Sequence, residues 1–237
     1  MRDVKIKICG LMREEDVEFC IRNKVDIIGF VVDYPVTVPW NLDRERAKEL
    51  IDFFRKCAAE NGSDSEVSIV SGGSSDSLSE LVHFLKPDYL QMHYKETADD
   101  ISTVKKAVVD VGTKLIKTIP NGADEIKRQS GEEGFGACGR AFEEAGADIL
   151  LVDARGPENA ASRSSFLDAE LYKEVRDAVS IPVMAAGGIT PDNIEKVIQD
   201  INPDMVDIMT GVEESFGVKS HDRIEQIINL VKMRGGK

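Results

Sequence analysis

"DIIGFVV", residues 26–32, and "DILLVDA", residues 148–154, are apolar at nearly every position between their acidic residues. A strand with one face in water alternates apolar with polar residues. Unbroken runs such as these mark strands covered on both faces, as in a parallel sheet flanked by helices. Outward from these two runs the same unit recurs. Short Val/Ile-rich stretches at 4–9, 26–32, 66–70, 88–92, 114–119, 148–152, 182–185 and 204–209 alternate with helical patterns near 14–23, 43–60, 76–85, 98–110, 123–145, 168–179, 191–200 and 220–233.

Eight strand-then-helix units in 237 residues predict an α/β fold, a single (βα)8 TIM barrel with a parallel eight-stranded sheet over residues 1–237. An open doubly wound sheet is the structural alternative. Two segments interrupt the pattern. "SGEEGFGACGR", residues 130–140, puts four glycines inside the fifth helix and predicts a break into two short helices around an inserted loop. "GPENAASRSS", residues 156–165, is a long loop after the sixth strand, which on a barrel lies at the catalytic face.

Acidic residues outnumber basic ones by 43 to 30, a formal charge of -13. That surface repels phosphate backbones and argues against a nucleic-acid partner, while a local site for a small anion remains compatible with it. Cys9, Cys20, Cys57 and Cys138 form no CxxC pair, the histidines at 83, 93 and 221 are scattered, and no apolar stretch reaches membrane length. The expectation is a reduced cytoplasmic protein with no metal site, no cofactor and no membrane partner. A homodimer is compatible with the composition.

In a barrel the C-terminal ends of the strands converge on one pocket, so those residues carry the chemistry. They include Cys9, Gln91 and His93, Lys117 and Thr118, Asp153, Gly187 and Gly188, and Asp207 through Gly211. "AAGGITPDN", 185–193, ends a strand in two glycines before a helix start, and "DIMTGVEE", 207–214, follows with Thr210 and Gly211. Glycines permit close backbone approach and helix-start N–H groups favour anions, so these two loops predict a phosphate site. Either one alone reads more often as a plain turn.

Asp153 closes an apolar run, where desolvation favours the protonated acid and suits a proton donor. The plainer reading is a carboxylate held by loop amides. Cys9 taken alone reads as a small buried hydrophobe. Gly10 and the helix start beyond it put N–H dipoles near the thiol, which favour thiolate. Lys117 is open to two readings, an ion-paired residue or the Schiff-base amine of a phosphosugar lyase.

"KICGLMREEDV" (7–17), "YLQMH" (89–93), "IKTI" (116–119), "LLVDA" (150–154), "AAGGITPDNI" (185–194) and "DIMTGVEESFGVKSHDRI" (207–224), in that order, resemble the phosphoribosylanthranilate isomerase family of tryptophan biosynthesis along nearly the whole chain. The resemblance implies an Amadori rearrangement of a phosphorylated small molecule without metal or cofactor. It assigns Cys9 as general base, Asp153 as general acid, and Gly187, Gly188, Thr210 and Gly211 to the phosphate loops, with Asp207, Gln91 and His93 in the substrate pocket.

Two departures stand out. The family's arginine for the anthranilate carboxylate falls at or beside Pro39, in "DYPVTVPWNLD" (33–43), which has no basic residue. The loop after the sixth strand lacks the family's glycine-rich stretch and reads "ENAASRSSFLD" (158–168), with Phe166 near the family's aromatic position. Arg155 and Arg163 in this region are the candidates to replace the lost arginine from the other side of the pocket. A related isomerase for a different phosphoribosyl amine, and a non-catalytic barrel that binds a phosphorylated metabolite, are the alternatives.

Overall fold

The computed structural model of the chain describes residues 4–157 and 166–235. One parallel sheet holds β1 (Lys5–Ile8), β2 (Ile27–Val32), β3 (Asn41–Leu42), β4 (Glu66–Ser71), β5 (Tyr89–Met92), β6 (Lys114–Thr118), β7 (Ile149–Asp153), β8 (Val183–Ala186) and β9 (Met205–Ile208). β9 returns to pair with β1, and β1 pairs with β2, so eight strands close a barrel. The two-residue β3 only extends the far end of β2. The closed ring excludes the open-sheet alternative, and each expected strand lies within one residue of its observed ends.

Outside the strands run α1 (Glu14–Arg22), α2 (Arg44–Asn61), α3 (Ser75–Leu85), α4 (Ala98–Ala107), α5 (Ala123–Ser130), α6 (Phe135–Glu144), α7 (Ala169–Ala178), α8 (Ile194–Ile201) and α9 (His221–Gly235). Side-chain caps start several of them: Asp43 on α2, Ser74 on α3, a Thr97–Asp100 capping box on α4 and Asp168 on α7. α8 begins later than the sequence pattern suggests. The Asn193 side chain accepts from Thr190 N and donates to Gly188 O, both at 2.8 Å, and holds a separate turn ahead of the helix.

The glycine-rich stretch is a helix break, as expected, with Gly131 and Gly134 in left-handed or open conformations between α5 and α6. Its other two glycines serve packing. A Cβ on Gly136 would come within 3.1 Å of Ala178 Cβ, and one on Gly139 within 3.2 Å of Val179 Cγ1, so α6 sits close against α7.

Strand parity decides what enters the barrel. Ile6, Ile8, Ile28, Phe30, Leu115, Leu150 and Val152 face the helices within the main core. The alternate set, Ile27, Tyr89, Ile116, Ile149, Leu151, Met184 and Met205, fills the interior. Continuing that alternate parity to the strand ends brings Lys7 and Cys9, Gln91 and His93, Asp153 and Asp207 to the inner face.

The opposite end of the barrel is sealed by a repeated device. Asp26, Asp88, Asp148 and Asp204 each stand one residue before a strand. Their carboxylates accept the backbone N–H of Ile6, Val67, Leu115 and Val183, at 2.8, 2.7, 2.7 and 3.2 Å. Each bond ties an even-numbered barrel strand to the one before it.

Candidate active site

The pocket at the C-terminal end of the strands has one polar side and one apolar side. Gln91, His93, Asp153, Arg155 and Asp207 form the first; Val31, Tyr34, Val38, Trp40, Val70 and Met209 form the second, and Cys9 belongs to the same apolar cluster as Val31, Tyr34, Val38, Trp40 and Val70. Cys9 and Asp153 stand on β1 and β7, separated around the ring by β9 and β8. The apolar side is a slot suited to a flat ring, because the loop after β2 folds inward. Tyr34 donates its hydroxyl to His93 O at 2.7 Å, and the Asn41 side chain bridges Tyr34 N and O at 2.9 Å. Trp40 donates Nε1–H to Glu213 at 2.6 Å and stacks edge-on against Phe216.

Within this loop, 33–43, no cation reaches the slot. Arg44, the next basic residue, pairs with Asp33 at 2.9 Å and is partly exposed. Arg155 supplies a cation from the facing side. It is 9% exposed, its Nε lies 3.5 Å from Asp153 Oδ1, and its backbone N–H donates to the same oxygen at 3.0 Å. Among the described residues its Nη1 has no hydrogen-bond partner. A guanidinium N–H is a strong donor to anions. Arg163 lies outside the described residues.

Lys7 is the residue that the sequence reading missed. Fully buried below the pocket floor, it donates to Gln91 Oε1 and to Asp207 Oδ2, both at 2.7 Å. Gly29 on the neighbouring strand makes room, since a Cβ there would lie 3.0 Å from Cys9 Sγ and 3.2 Å from Lys7 Cε. The signal was present in "KIC": residues two apart on a strand share a face, so an inward Cys9 implies an inward Lys7.

The electrostatics follow from burial and from this lysine. Burial pushes the Cys9 thiol above its usual range, with the Lys7 ammonium opposing and Asp207 reinforcing the rise. This corrects the expectation that nearby N–H dipoles favour thiolate, because desolvation is the larger effect. Burial pulls Lys7 down, but Asp207 and Cys9 outweigh it and the ammonium is held above the ordinary lysine value. For Arg155 burial is likewise outweighed, by Asp153, Asp207 and Cys9. Burial lowers His93, which therefore stays neutral near pH 7. Because Gln91 Oε1 takes the lysine, Gln91 Nε2 donates to His93 Nδ1 at 3.0 Å, which leaves the proton on Nε2, facing Arg155 O at 3.4 Å.

A second pocket opens beside the first, lined by Gly188, Thr190, Thr210, Gly211, Phe166 and Arg223. Met209 lines the first pocket and Thr210 the second, so one backbone step joins them. The two glycine loops touch. A Cβ on Gly211 would overlap Ile189 O at 1.8 Å, and only glycine allows this approach. Gly187 serves the other side of its loop, next to Ala154, with its carbonyl accepting from Leu167 N. Arg223, in the first turn of α9, adds a cation the sequence reading did not include. Its Nη1 donates to Glu213 O, at the start of the hairpin formed by β10 (Glu213–Ser215) and β11 (Val218–Lys219), and this contact helps hold it at the pocket.

Lys117 has the outward parity. Its ammonium pairs with Glu96 at 3.0 Å, both side chains fully buried, and lies over the Phe142 ring of α6. It does not line the pocket, which removes the structural basis for a Schiff-base lysine there. Among the described residues no cluster of three or more His, Cys, Asp or Glu is arranged to hold a metal ion.

An acid and a thiol in one pocket at the C-terminal ends of the strands, with an apolar slot beside them and a second, glycine-lined pocket alongside, have the layout of a (βα)8-barrel enzyme. The family model of N-(5'-phosphoribosyl)anthranilate (PRA) isomerase matches residues 6–230, and the chain belongs to that family. It is 29% identical to the N-(5'-phosphoribosyl)anthranilate isomerase of Haloferax volcanii over 98% of this chain and 95% of that one. It is 30% identical to the enzyme of the same name from Rhodospirillum rubrum, over 98% and 99%. A solved phosphoribosyl anthranilate isomerase in complex with reduced 1-(o-carboxyphenylamino)-1-deoxyribulose 5-phosphate superposes with a TM-score of 0.71 at 22% identity, covering 97% of this chain and 99% of that one.

Proposed function

We propose that this chain isomerises N-(5'-phosphoribosyl)anthranilate to the 1-deoxyribulose 5-phosphate product, with Asp153 as the acid and Cys9 as the base. The phosphate sits between Gly188, Thr210, Gly211 and Arg223, the ring in the Tyr34–Trp40 slot, and the carboxylate on Arg155. Asp153 gives a proton to the ribose ring oxygen as the C1–O bond breaks and the amine nitrogen closes the Schiff base. The Cys9 thiolate then takes the C2 proton, the C–H electrons form the C1–C2 double bond of the enolamine, and tautomerisation yields the ketose.

One observation carries the reading: Cys9 and Asp153, far apart in sequence, line a single pocket that also holds an apolar slot. Loss of substrate fluorescence tests it. Wild type turns over, and Cys9→Ser and Asp153→Asn each lose about 100- to 10,000-fold in kcat, the range of a general acid or base. Folded wild type with no turnover refutes the substrate; undiminished turnover by both variants refutes the mechanism.

A further inference from the structure

A buried thiol that must act as a base needs a counter-ion, and the barrel interior contains one. Lys7 has three N–H groups, of which two go to Gln91 and Asp207, and its side chain runs beside the thiol: a Cβ on Gly29 would lie 3.0 Å from Cys9 Sγ and 3.2 Å from Lys7 Cε. We propose that Lys7 is the positioning residue for the base: its ammonium, shared with Asp207, is the internal counter-ion that lets the Cys9 thiolate form inside the barrel. This rests on Cys9 acting as the base in the reading above.

Every charged group around Cys9 fits one balance. On its own strand Lys7 favours thiolate. Asp207 on β9 opposes it and competes for the same ammonium, and its second oxygen, Oδ1, is buried with no hydrogen-bond partner among the described residues. Lys219 on β11 favours thiolate too, but it is tied to Glu213 at 3.0 Å and to Met209 O at 3.1 Å. Asp153 and Arg155 neutralise each other at 3.5 Å, and His93 on β5 is neutral. Lys7 is thus the buried cation on Cys9's own inner face, two residues away along the chain, and it shares its charge with Asp207 at 2.7 Å. When substrate is bound, the thiolate sulfur takes the C2 proton while Lys7 keeps all of its own, and the ammonium returns wholly to Asp207.

The test reads the thiol directly. The rate of Cys9 alkylation by iodoacetamide, located by peptide mass, is followed against pH in wild type, Lys7→Met and Asp207→Asn. Lys7→Met moves the midpoint up by about 1 to 3 pH units, the effect of losing a close opposite charge. Asp207→Asn moves it down. An unmoved midpoint in Lys7→Met, or an upward shift in Asp207→Asn, overturns the proposal; if Lys7→Met does not fold, the direction in Asp207→Asn decides alone. The alkylation profile needs no turnover, so failure of the substrate assignment shows separately, as absent isomerase activity in wild type.

Discussion

Replacing Arg155 by methionine tests the claim that the carboxylate receptor has moved to the other side of the pocket. The guanidinium is nine-tenths buried, with Nη1 unpartnered among the described residues and Nε 3.5 Å from Asp153. Truncating one partner of a desolvated, hydrogen-bonded charge pair costs about 2 to 4 kcal/mol. At roughly 1.4 kcal/mol per factor of ten, that is about a 30- to 700-fold loss in kcat/KM. The carboxylate is present in ground and transition states alike, so the loss falls mainly on KM. Methionine keeps the backbone N–H that donates to Asp153 Oδ1 but removes the side-chain cation, so kcat also reports any disturbance of the acid. A second substrate separates the two effects. N-(5'-phosphoribosyl)aniline has no carboxylate, and on it wild type and Arg155→Met should have the same KM. Equal losses on both substrates, or no loss on the anthranilate compound, refute the assignment.

The phosphate pocket makes its own prediction: Gly211→Ala, whose Cβ overlaps Ile189 O, and Arg223→Met each weaken competitive inhibition by ribose 5-phosphate, the second by about 1.5 to 3 kcal/mol for lost hydrogen bonds to an anion. His93 sets a pH dependence of stability. Burial lowers its pKa from 6.5, so below about 6.5 the unfolded chain takes up a proton that the folded one refuses. Its contribution is complete above that pH and is lost as pH falls below it, until the folded pKa is reached. Urea midpoints between pH 7.5 and 5 should decline less in His93→Gln than in wild type.

What the sequence made legible was the layer structure. Apolar-rich runs located all eight barrel strands, and the unbroken ones at 26–32 and 148–152 marked a sheet covered on both faces. The chemistry at those ends was legible only where parity was applied. Lys117 and Thr118 are adjacent, and only the inward position of Ile116 tells which of them faces the helices. Lys7 was hidden for a different reason: a lysine within a strand reads as solvent-exposed until the closed ring brings Asp207 to it from 200 residues away. The loop after β2 showed that it lacks a cation, but the inward turn of Tyr34 and Trp40 depends on His93 and Glu213, partners from other loops. Arg223 was not singled out in the sequence; it is the β10–β11 hairpin, whose Glu213 carbonyl accepts from it, that ties it to the second pocket.

The acidic residues show how position along a strand, and not residue type, divides structure from function. "DILLVD" begins and ends in aspartate. Asp148 at the N-terminal end accepts from Leu115 N and pairs with Lys105 at 2.6 Å, closing the base of the barrel. Asp153, five residues on at the C-terminal end, sits beside Arg155 in the pocket. The ninth strand repeats the arrangement: Asp204 accepts from Val183 N at the base, and Asp207 takes the Lys7 ammonium under the pocket. A parallel barrel gives every strand the same direction, so the two ends of the molecule cannot exchange roles. At the base, an aspartate repeats before every second strand because it satisfies a main-chain N–H. At the mouth the aspartates stand among the cations Lys7 and Arg155, where a change of charge on any one group alters its neighbours. That coupling makes the pocket reactive and leaves the base inert.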